Sequence, residues 1–123
     1  MAVFEQYGSV MKEKYSNIEL LVSNTFLKQD EVPGFKVGLK VVNNDSKSLH
    51  FDVSETELYV NNQRNVAWDL AVQNGTIINL RIAPNSSQEI WWPLGEALFM
   101  KGGNYKLELR WKDFTQKEEV EVR

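Results

Sequence analysis

Along most of the chain apolar and polar residues alternate singly, which is the period of a strand with one dry face and one wet face. The cleanest instance is 102–111, GGNYKLELRW, where Tyr105, Leu107, Leu109 and Trp111 share one side and Lys106, Glu108, Arg110 and Lys112 the other. A second is 35–44, FKVGLKVVNN, with Phe35, Val37, Leu39 and Val41 facing one way and Lys36 and Lys40 the other. The same reading predicts strands over 18–27, 49–53, 58–60, 65–72, 76–83, 88–92 and 117–123. Their inward sets are Leu49, Phe51 and Val53; Val66, Trp68, Leu70 and Val72; Ile78, Leu80 and Ile82; and Val120 with Val122.

Turn residues punctuate these runs. Pro33-Gly34 combines a fixed φ with a residue free to adopt positive φ, and 43–48, NNDSKS, can bond its own backbone through short polar side chains. Asn61-Asn62-Gln63-Arg64 separates two arms of an expected hairpin, and Asn74-Gly75 is a tight-turn dipeptide. Pro93 stops the 88–92 strand from continuing inside a ladder. Beyond it LGEALFM, 94–100, contains good helix formers and is expected to be a helical turn crossing from one sheet to another. At the start, Phe4, Tyr7 and Met11 recur at helical spacing, so 1–17 reads as an arm or short amphipathic helix ahead of a domain spanning 18–123.

Seven to nine strands joined by short polar turns define an all-β chain, and the spacing is that of an antiparallel immunoglobulin-like β-sandwich. Tyr105, just after Gly-Asn at the entry to the penultimate strand, fits a tyrosine corner, with its hydroxyl reaching an upstream backbone group. At 123 residues, 42% hydrophobic and 25% charged, the chain is long enough for one packed core without cross-links.

A net charge of −3 and the absence of any basic run argue against nucleic acid, whose affinity rests on Lys and Arg neutralising phosphates. No stretch approaches the roughly 18 apolar residues of a membrane helix. The N-terminus has no signal-peptide pattern, which leaves a cytoplasmic protein or an exported one supplied without its signal peptide.

Catalytic candidates are few. With no Cys and one His, thiol chemistry is excluded and a serine triad would need His50, which alternates with Leu49 and Phe51 and so points to solvent. Neither zinc, EF-hand nor phosphate-loop spacing occurs, so no metal or cofactor is expected. The carboxylate groups Asp52, Glu55, Glu57 and Glu118, Glu119, Glu121 read as solvated strand faces. Three Asn-x-Ser/Thr sequons, at Asn44, Asn74 and Asn85, fall in expected turns. Trp91-Trp92 stands apart: adjacent strand residues face opposite ways, so with Trp92 on the core side beside Ile90, Trp91 points outward as a candidate contact surface.

The segments FKVGLKVVNNDSKSLHFDV, 35–53, and GNYKLELRW, 103–111, with Leu58-Tyr59-Val60 between them, resemble the bacterial intracellular proteinase inhibitor family and related small immunoglobulin-like domains. A bacterial source also suits the Asn- and Lys-rich, cysteine-free composition, and there the sequons act as turn chemistry only. The resemblance implies a sandwich that acts by binding, with its loops touching a protein partner such as a protease. A non-enzymatic protein-interaction module is therefore the leading expectation, with Trp91 and Trp92 as its candidate surface. The alternative is carbohydrate or small-ligand binding through Trp91.

Overall fold

In the computed structural model, residues 17–74 and 79–123 are described. The expected N-terminal helix, the Asn74-Gly75 turn and Ile78 of the expected 76–83 strand lie outside the described residues. What is described is all-β in character. Ten strands run in the order β1 (Asn17–Val22), β2 (Phe26–Leu27), β3 (Val37–Asn43), β4 (Leu49–Asp52), β5 (Glu57–Val60), β6 (Gln63–Arg64), β7 (Asn79–Ile82), β8 (Ser86–Trp92), β9 (Gly103–Trp111) and β10 (Phe114–Val122). Helix α1 (Val66–Asn74) follows β6, and the single turn α2 (Gly95–Leu98) follows β8.

The strands form a five-stranded sheet ordered β2-β10-β9-β5-β6, a three-stranded sheet β1-β3-β8 and a pair β4-β7. Side chains from all three sheets meet in one core. Alternation explains the two best strands directly: Phe35, Val37, Leu39 and Val41 are fully buried, and so are Leu107 and Leu109, while Tyr105 and Trp111 are half-buried at the ends of their row. Val120 and Val122 are buried as expected. The β9–β10 hairpin turns tightly through Lys112 and Asp113, with Trp111 opposite Phe114 and Lys112 at φ 53°. The Tyr105 hydroxyl donates to the Lys101 carbonyl at 2.7 Å, and its ring continues an edge-on stack from Phe35 through Phe99.

Two expected strands are corrected. The 18–27 run is not continuous: β1 belongs to the three-stranded sheet, and β2 pairs parallel with β10 in the five-stranded one. The break at Ser23 to Thr25 lets one segment serve both layers, and the Ser23 hydroxyl accepts from the Lys36 amide as it leaves the first sheet.

The 65–72 segment is helical. Asn61 and Asn62, both at positive φ (49° and 69°), make the tight turn preferred by two-residue hairpins, and the return arm ends after Gln63 and Arg64. Asn65 then caps the helix, its Oδ1 accepting the Trp68 amide at 2.8 Å. Of the four alternating apolar residues only Trp68 and Val72, one helical turn apart, are buried; Val66 and Leu70 are 65% and 55% exposed. Trp68 donates from Nε1 to Thr56 Oγ1 at 3.1 Å and meets Trp92 edge-on at 4.9 Å.

The crossing turn between β8 and β9 is helical as expected, and it carries the chain from the three-stranded to the five-stranded sheet. Gly95 at its start sits so close to the Gln29–Gly34 3₁₀ segment that a Cβ would lie 1.9 Å from the Val32 carbonyl oxygen. Only glycine allows that approach.

Candidate functional site

The outer face of the three-stranded sheet follows from register. Leu21, Gly38 and Trp91 lie in one row across β1, β3 and β8; Glu19, Lys40 and Glu89 lie in the next; Asn17, Val42 and Ser87 in the third. Gly38 leaves a gap in this face, and the Trp91 indole lies across it. A Cβ on Gly38 would stand 2.7 Å from the indole Cδ2 and Cε3 and 2.9 Å from Cε2. One ring face therefore rests on backbone. The indole N–H donates to Glu89 Oε1 at 3.1 Å, and Trp91 remains 39% exposed.

Trp92 behaves differently from its neighbour. It is half-buried against Trp68 and packs on the core, so of the two candidate surface residues Trp91 is the exposed one. Strand alternation foretells this split, but the gap above Gly38 depends on a register the local sequence does not contain.

A second feature lies where α2 meets the Gln29–Gly34 segment and the end of β10. A groove of about 280 Å³ is floored by the buried Val32, Phe99 and Val122 and bordered by Pro33 and by Met100, which is 86% exposed. Its exposed polar side chains are Gln29, Glu96 and Lys101. Sequence reasoning missed it because its walls come from three separate stretches of chain. The only local hint was an exposed-side Met at the end of the crossing turn.

The outer face of the five-stranded sheet is paired within itself. Arg110 Nε donates to Glu108 Oε2 at 2.8 Å while its guanidinium lies 3.8 Å from the centre of the Tyr59 ring. Arg64 bridges Glu57 at 3.1 Å and Asp69 at 3.0 Å. The hydrogen bond from Arg110 holds the Glu108 carboxyl below its ordinary value against the opposing effect of burial, with Lys117 and Lys106 adding to the lowering. Glu108 is 8% exposed, so this face is drier than plain alternation implies.

His50 is exposed on β4 and sits opposite Arg81 of β7. Glu118 faces inward, half-buried beside Gln116, whereas Glu119 lies opposite Lys106 on the outer face, so the 118–121 acids do not converge. Among the described residues, no group of three or more His, Cys, Asp or Glu is placed to hold a metal ion. Nor is any described helix long and apolar enough to cross a membrane.

No protein-family model matches the chain, and no curated protein matches it. Solved structures do. One is a β-glucosidase from Listeria innocua in complex with glucose, with a TM-score of 0.50 and 13% identity over 88% of this chain. Another is a second structure of β-glucosidase from Listeria innocua, at TM-score 0.48 and 14% identity over 88% of this chain. In both cases the match spans 16% of the enzyme chain. At such identity the likeness is one of fold alone.

Proposed function

We propose that this chain is a non-enzymatic protein-interaction module built as an immunoglobulin-like β-sandwich. Strand order supports the architecture. The five-stranded order β2-β10-β9-β5-β6 and the three-stranded order β1-β3-β8, with the 18–27 segment divided between them and β4-β7 as a further pair, are what support this reading. The observation that carries the interaction reading is the end groove: an apolar floor of Val32, Phe99 and Val122 beside a Met that is 86% exposed. Flexible, polarisable Met at the lip of an apolar groove suits a partner's side chain.

The resemblance to the proteinase inhibitor family makes a protease the first partner to try. Incubation with a subtilisin-like serine protease is expected to give saturable inhibition while the domain stays intact. Met100→Asp should weaken it on the order of tenfold if the groove is the contact. Rapid digestion of the domain counts against inhibition, and undiminished inhibition by the variant counts against the groove.

A further inference from the structure

We propose that the outer face of the β1-β3-β8 sheet is a carbohydrate platform on which Trp91 stacks a pyranose ring of a neutral glycan, a binding capacity separate from the protein contact at the end groove. Three observations converge on it. The indole lies across Gly38 with one face against backbone, which leaves the opposite face flat and open, and the residue is 39% exposed. Its N–H is held by Glu89 Oε1 at 3.1 Å, so the ring is tethered at its edge before any ligand arrives. Pre-set aromatic planes bind with little loss of side-chain freedom.

The surrounding side chains select the ligand's charge. Glu19, Lys40 and Glu89 form the adjacent row, and Lys36 continues the same face beyond Gly38, where its amide and carbonyl are bonded to Ser23. Two carboxylates and two ammonium groups leave no net charge to attract a polyanion or a basic peptide. They do supply acceptors and donors side by side, which vicinal hydroxyls of a sugar can satisfy together. Dimensions agree as well: rows on one face of a strand repeat every ~6.8 Å and strands lie ~4.8 Å apart, so one pyranose covers the indole while its hydroxyls reach the next row.

The test is a calorimetric titration of the intact chain with cellohexaose, chitohexaose and xylohexaose, repeated by NMR on the Trp91 indole N–H resonance wherever Trp91 is present, with oligolysine and dextran sulfate as charged comparators. A neutral oligosaccharide is expected to shift that resonance saturably. Trp91→Ala should weaken binding on the order of tenfold and Trp91→Phe should retain part of it. Gly38→Ala, whose Cβ would displace the ring, should lose binding although Trp91 is still present. Silence from all three neutral oligosaccharides, undiminished binding in Trp91→Ala, tighter binding of a charged comparator, or a shift produced only by a protease overturns the proposal. None of these variants touches Met100, so the groove reading stands or falls on its own experiment.

Discussion

Single residues decide how firmly each face is held. Leu107 is fully buried at the middle of β9, and Leu107→Ala is expected to cost about 2 to 5 kcal/mol in urea unfolding. Trp111 closes the same row but is half-buried, tilted against Phe51 at a centroid distance of 5.0 Å. Trp111→Ala should therefore cost less than a fully buried aromatic, and a loss larger than that of Leu107→Ala would show the row to be weighted toward its end. Glu108 adds a pH dependence. Because its pKa is lowered in the folded protein, first by the Arg110 hydrogen bond, its contribution is present above the unfolded carboxylate value, about 4.3, and is lost as pH falls through the folded one. Glu108→Gln should thus have a lower urea midpoint than the native chain at pH 7, with the gap closing in acid; a gap independent of pH would exclude the pair as its source.

At the scale of elements, the open edges are what the fold must manage. Strand β1 ends its sheet, and the Gln116 carboxamide from β10 occupies both backbone groups of Leu20, accepting from its N–H at 2.8 Å and donating to its carbonyl at 3.0 Å. A side-chain amide thereby takes the place of a neighbouring strand and ties the two larger sheets together. Gln116→Ala should cost about 1 to 2 kcal/mol and raise the hydrogen-exchange rate of the Leu20 amide. It should also favour concentration-dependent association through the freed edge, visible by light scattering. Exchange at Leu20 unchanged in the variant would show that the edge is sealed by other means. The helix α1 makes a related point about local signals. Val66, Trp68, Leu70 and Val72 satisfy the two-residue period of a strand, yet Trp68 and Val72 alone satisfy the four-residue period of a helix. Burial of Trp68 against Thr56 and Trp92 selects the second.

Over the whole molecule, the three sheets share one core, so no sheet has an apolar interior of its own. Unfolding followed by tryptophan fluorescence and by far-UV circular dichroism should give coincident transitions. Fluorescence that changes first would mean that the Trp68–Trp92 junction loosens before the sheets do. Sequence by itself determined the inward sets of the two best-patterned strands, the polar turns at 43–48 and at Asn61-Asn62, the outward aim of Trp91 and the helical crossing after Pro93. These follow from backbone periods of two to four residues and from the conformational preferences of Asn and Pro. Tertiary structure alone decided the division of 18–27 between two sheets, the helix at 66–74, the end groove and the seat of Trp91 on Gly38. Each of these depends on groups far apart in the chain, as Leu20 and Gln116 are, 96 positions from one another. A local pattern carries a side chain's facing; only the packed molecule supplies what it faces.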